Sequence, residues 1–194
     1  MAPVQVRRLA DAAAFTGHLA SLGVDLPFDS EVVAGSGSPL AQPLEVRDGS
    51  AGTLVVGNRW TVLPMEGWDG TTDGRPTDLV CRRWARFGES GAKLVWGGEA
   101  VAVGPGGRAN PNQLCIGPNS PGDLAELRSV LVDAHVERFG SADDLLVGLQ
   151  LTHSGRWAQP GGEAAPRTAY RHPLLDGRVG ASGQSVLSDD ELDG

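Results

Sequence analysis

Three short apolar runs, residues 60–63, 93–96 and 144–151, divide the chain from residue 60 onward into repeating blocks. Each run has the length of a strand and is nearly continuous in apolar character, the pattern of a strand covered on both faces. The first stops at Pro64, which has no N–H to give a ladder. The second ends in Gly97-Gly98-Glu99-Ala100, and the third, Leu-Leu-Val-Gly-Leu-Gln-Leu, leads into Thr152-His153-Ser154-Gly155-Arg156.

Between these runs the apolar period changes to that of a helix. Over residues 77–90, Val80, Trp84 and Phe87 share a face, Thr77 is placed to cap, and Gly91 closes the segment. Ser120-Pro121-Gly122-Asp123 reads as a capping box with proline in the first turn. It opens a helix running to Phe139, with Leu124, Leu127, Leu131 and Ala134 inward and Gly140 as the stop. Strand, loop and helix recurring every 40–50 residues or so predict parallel βα units.

Before the first block, residues 44–56 alternate around Asp48-Gly49-Ser50-Ala51-Gly52 and predict a β-hairpin. Residues 6–23 predict a helix with Ala12, Phe15, Leu19 and Leu22 on one face and Gly23 at its end. A Gly/Ser/Pro-rich link over 34–43 separates this helix from the hairpin, so residues 1–43 read as an N-terminal extension and 44–194 as the main fold. Residues 157–187 have no period. Ser188-Asp189-Asp190-Glu191 is a second capping box, announcing a helix at the end of the sequence. Three strands of a parallel sheet leave open edges, so the expectation is the front part of a larger fold.

Composition narrows the partners. The 194 residues are 40% hydrophobic and carry a net charge of −8, against nucleic acid or an anionic membrane as partner. No apolar run reaches the roughly 18 residues of a membrane span, and no secretory signal is visible. Two distant cysteines, Cys81 and Cys115, suit free thiols and a cytoplasmic setting. The four histidines lack metal-ligand spacing, so no metal site is predicted; His18 and His135 fall on helices as surface or packing residues. Gly104-Pro105-Gly106-Gly107 is not a phosphate loop, having neither the dinucleotide fingerprint nor a helix directly after it.

The candidate chemistry gathers at the strand ends. Glu66 follows the first strand, Glu99 the second, and Gln150, His153 and Arg156 close the third. In a parallel barrel such ends converge on one mouth. Two glutamates so placed would suit a glycoside hydrolase acid–base pair. Trp68 either stacks on a flat ligand or seals the rim.

In order, Asn58-Arg59, Pro64-Met65, Asp73-Gly74, Gly98-Glu99-Ala100, Gly107-Arg108 and Gln150-Leu151-x-His153-x-Gly155-Arg156 resemble the old yellow enzyme family of NADH:flavin oxidoreductases. The resemblance runs from about Leu44 onward and leaves residues 1–43 outside. It implies an α/β fold: a partial (β/α)8 TIM barrel of about the first three βα units, an N-terminal β-hairpin and a helical extension. It implies FMN as cofactor, NADH or NADPH as reductant and an activated alkene as substrate. Leu63, Pro64, Met65 and Glu66 would lie along the flavin, with backbone groups toward N5 and O4. Ala100 would sit against the ring, and the Gln150 amide would serve the pyrimidine edge. Trp68 matches a substrate-facing position, and His153 and Arg156 match supports near the flavin. Glu66 departs from the family's usual Thr or Cys, and a carboxylate there would disfavour an anionic reduced flavin. The family's paired carbonyl-gripping residues, its tyrosine proton donor and its phosphate loops have no counterpart in the sequence. A non-catalytic partial barrel that associates through its open edge is the remaining alternative, its partner a second copy or the rest of a barrel.

Overall fold

The computed structural model describes residues 4–48, 52–180 and 186–193. The chain divides into two compact units, Met1–Pro39 and Leu40–Gly194. In the first unit, α1 (Ala12–Leu22) starts where the Asp11 carboxylate accepts the Ala14 N–H and stops at Gly23 in the left-handed region. The expected apolar face packs thinly. α1 buries no residue; Phe15 meets Phe28 edge-on and Leu22 is exposed.

The second unit opens on the expected antiparallel hairpin, β1 (Leu44–Asp48) with β2 (Gly52–Val56), in which Leu44 pairs with Val56. The middle of its expected turn, residues 49–51, lies outside the described residues. A three-stranded parallel sheet comes next, in the order β3 (Thr61–Val62), β4 (Leu94–Ala102), β5 (Leu146–Thr152). Helices α2 (Asp78–Glu89) and α3 (Ser120–Phe139) connect the strands. These helices cover one face, where Val80, Trp84, Val95, Val101, Leu114, Leu127 and Leu131 form the core. The order of elements is that of the expected βα units. The described strands form no closed barrel.

The start of the sheet is tied by side chains. The Asn58 carboxamide donates to the Gly91 carbonyl and accepts from the N–H groups of Trp60 and Lys93, aligning β3 with β4. Lys93, the sole lysine, bonds Asp144 at 2.6 Å and the Nε2 of buried His135 at 2.9 Å, while His135 Nδ1 donates to the Gly88 carbonyl. His135 is therefore a packing residue, and it occupies the inward position expected of Ala134.

The caps expected for α2 and α3 are both replaced by longer-range contacts. Thr77 stands at the N-cap of α2, but its hydroxyl donates to the Asp69 carbonyl instead of capping. The capping box at the start of α3 does not form: the N-cap is Asn119, and Asp123 forms a two-pronged ion pair with Arg75. Ser120 Oγ accepts from Gly117 N and donates to the Cys115 carbonyl. The capping box at Ser188 does form, with Ser188 N and Oγ both donating to Glu191 ahead of α5 (Asp189–Asp193). Among the described residues of the 157–187 excursion there is one α-helical turn, α4 (Leu175–Arg178).

Candidate functional site

The three strands bring Leu63–Glu66, Ala100 and Gln150 side by side. Beyond Pro64 the chain runs on beside β4, and the Ala100 N–H donates to the Met65 carbonyl at 3.0 Å. On the other side of β4, Ala100 pairs in parallel register with Gln150. Val62 and Val95 are register partners that pack toward the helices, so strand alternation turns Leu63 and Trp96 to the opposite face. That face is bare: Leu63, Met65, Trp96 and Gln150 are all exposed, and so is Trp68 in the loop that follows. Ala100, by contrast, is 5% exposed. The result is a shallow apolar floor, edged on the β5 side by the free Gln150 amide.

The shape of the floor comes from an irregularity in β4. Between Trp96 and Ala100 the register with β5 slips, so that Trp96 pairs with Gly148 and Ala100 with Gln150. Gly97 makes this turn at φ +59°, and a Cβ there would come within 2.4 Å of the Gln150 nitrogen. Only glycine satisfies both demands. Gly148 lies under the Trp96 ring, where a Cβ would meet Cε3 at 2.6 Å.

The bulge also corrects the reading of Glu99. β4 extends to Ala102, so Glu99 lies within the strand and not after it. Its carboxylate is fully buried: one oxygen accepts the Gly67 N–H at 2.6 Å and the other accepts from Arg83. Burial pushes the Glu99 carboxyl above the ordinary glutamate value, with Arg83 and the Gly67 amide opposing. Glu66 is exposed. With both Glu99 oxygens engaged away from solvent, the pair is poorly arranged for the acid–base work of a glycosidase.

The floor is backed by amides whose role the sequence does not reveal. Gln113 is fully buried; its Nε2 donates to the Ala100 carbonyl and its Oε1 accepts from Ala109 N. Asn110 Nδ2 donates to the Gly67 carbonyl, and Asn112 Nδ2 to that of Gly70. The signal was present as Asn110-Pro111-Asn112-Gln113, three carboxamides in four residues of a tight loop. Such side chains supply the main-chain partners that an irregular buried segment lacks.

His153 and Arg156 stand apart from the floor. The His153 ring packs against Gly107, where a Cβ would lie 2.5 Å from Cδ2, and its Nδ1 accepts the Gly155 N–H. Arg156 is buried, donates to Asp176 and the Tyr170 carbonyl, and lies 4.9 Å from the Tyr170 ring centre. Both line a cleft of about 750 Å³ beyond the ends of β4 and β5, walled by the 104–107 turn, Trp157, Arg167 and Tyr170. No floor residue lines it. Burial pushes the Cys81 and Cys115 thiols up, so neither is a ready nucleophile. Among the described residues no group of three or more His, Cys, Asp or Glu side chains is placed to hold a metal, and no helix is long and apolar enough to cross a membrane.

No family model matches the chain, and no curated protein does so. Solved structures do. The old yellow enzyme of a Pichia species aligns over 82% of this chain and 40% of its own, with TM-score 0.56 and 17% identity. The old yellow enzyme from Trypanosoma cruzi aligns over 80% and 44%, with TM-score 0.50 and 24% identity. A 2-naphthoyl-CoA reductase aligns over 69% and 18%, with TM-score 0.50 and 16% identity. At such identities the likeness is one of fold: the βα units correspond to part of an old yellow enzyme barrel, in agreement with the resemblance read from the motifs. The chain spans less than half the length of each of these proteins.

Proposed function

We propose that this chain is the flavin-floor portion of an FMN-dependent oxidoreductase of the ene-reductase type. Such an enzyme passes hydride from NADH or NADPH, by way of FMN, to an activated alkene. The observation that carries the reading is the alignment of Met65, just beyond β3, with Ala100 of β4 and Gln150 of β5. The pieces fit a flat, partly polar ring. Leu63 and Met65 offer exposed apolar surface, Ala100 adds no bulk, and the Gln150 amide presents a donor beside an acceptor. Bound FMN would supply the redox chemistry, accepting and returning a hydride.

The protein's own part is to bind and orient. Gln150, exposed at the β5 edge, would fix the ring's polar side, while Leu63, Pro64, Met65 and Glu66 line the opposite end of the floor. Ala100 is held from both sides, its N–H by Met65 and its carbonyl by Gln113, so the middle of the floor is rigid. Trp68 at the rim would face substrate. Arg156 is neutralised by Asp176, so its fitting role is to hold the 153–176 segment, with His153 keeping the 104–107 turn in place.

Isothermal titration of the 194-residue chain with riboflavin and with FMN tests this reading. A site made of ring contacts binds both weakly and about equally, and Gln150→Ala weakens both. Tight, stoichiometric FMN with no riboflavin binding would refute it, because affinity would then come from phosphate contacts.

A further inference from the structure

Where β3 ends, an ion pair takes over the work of a ladder. The Met65 carbonyl still meets a β4 amide, but the next inward N–H, that of Gly67, finds the Glu99 carboxylate at 2.6 Å in place of a carbonyl. The bulge that turns Gly97 to Glu99 out of register with β5 brings this side chain to the position. Glu99 is held in turn by Arg83 from α2, which also grips Asp69 at 2.5 Å. On its other side the Gly67 peptide is held by Asn110. A Cβ on Gly67 would lie 2.6 Å from Glu99 Oε1, 2.8 Å from Arg83 Nη2 and 2.8 Å from Asp69 Oδ1. The main chain thus threads a gap between three charged groups, and only glycine passes.

A buried ion pair is a poor way to gain stability, since apolar residues of similar volume do as well or better. What it does provide is a single fixed place for the chain. We propose that Glu99, set by Arg83, is a positioning residue that clamps Met65–Trp68 and so fixes the rim of the floor, Trp68 included. The function assigned to that rim rests on the flavin reading above; the clamp itself does not. Asp69 and Thr77 belong to the same device, because the Thr77 hydroxyl holds the Asp69 carbonyl as the loop enters α2.

The test is amide hydrogen exchange on the full 194-residue chain, tracked residue by residue by NMR. In Glu99→Gln, the Gly67 amide is expected to exchange about ten to a hundred times faster, the effect of losing one charge-assisted hydrogen bond. Amides of Val95, Val101, Leu127 and Leu131 keep their wild-type rates. Gly67→Ala, which leaves both charges in place but wedges the gap, reproduces the local change and decides the matter if Glu99→Gln does not fold. Unchanged exchange at Gly67, or equal acceleration throughout the core, overturns the proposal. Riboflavin-induced shifts at Ala100 and Gln150 are recorded on the same wild-type sample. Their absence beside a loosened loop would remove the flavin reading while leaving the clamp.

Discussion

Gly88→Ala probes the joint on which the site depends. Gly88 lies in α2 where it crosses α3, and a Cβ there would stand 2.2 Å from the Leu131 carbonyl oxygen and 3.1 Å from the His135 nitrogen. Ordinary contact begins at 3.4 Å, so the backbones must part by about 1.2 Å. The obstacle is main chain, and no rotamer change relieves it. The interface to be opened holds Val80, Trp84, Leu127 and Leu131, none more than 2% exposed. Overpacking of this kind costs about 1–3 kcal/mol, and the gain in helix propensity from Gly to Ala returns about 1 kcal/mol. With backbone against backbone, the net loss should be about 2 kcal/mol, a roughly thirtyfold fall in the folding constant. Urea unfolding monitored by circular dichroism measures it. Gly122→Ala in α3, with nothing within 4 Å of its Cβ, is the control and should be neutral or slightly stabilising. If Gly88→Ala were as stable as wild type, the close helix crossing would be wrong, and with it the placement of Arg83, about one and a half turns upstream.

The ion pairs set two further outcomes. Lys93→Met strips the buried His135 Nε2 of its partner and leaves Asp144 without its cation, so thermal unfolding should show a loss of about 2 kcal/mol. Asp123 is held below the ordinary aspartate range, chiefly by its hydrogen bonds from Arg75. A depressed carboxyl contributes stability that is complete above its unfolded value and lost as pH falls toward the folded one. The Arg75–Asp123 coupling in a double-mutant cycle should therefore vanish in acid, persist near neutrality and weaken with added salt, since Arg75 is half exposed.

The fold was legible where a period or a punctuating residue carried it. Val80, Trp84 and Phe87 marked α2, Gly140 marked the end of α3, and the apolar runs marked three parallel strands. Proximity across the sheet was legible only through the motifs. Nothing in the spacing of Met65, Ala100 and Gln150 says that they meet, because that depends on the two-strand register around the β4 bulge. Residues with more than one use misled. Thr77 and Asp123 look like caps because capping is local, yet each is taken by a partner outside its own helix. Thr77 goes to the Asp69 carbonyl in the loop before α2, and Asp123 to Arg75 across 48 residues. Glu99 looked like a strand-end acid because Gly97-Gly98 reads as the end of a strand, when the glycines instead make a bulge within it. Arg83 gave no signal, since an arginine on an amphipathic helix is usually solvated.

The central claim is that Met65, Ala100 and Gln150 form the floor for a flavin ring. A 15N–1H correlation spectrum of the 194-residue chain titrated with riboflavin tests it most directly. The account predicts saturable shifts at Met65, Glu66, Ala100, Gln150 and Leu151, with the midpoint moved to higher riboflavin in Gln150→Ala. Shifts confined instead to the cleft of His153, Trp157, Arg167 and Tyr170, or no shift at the floor near saturating ligand, would contradict it.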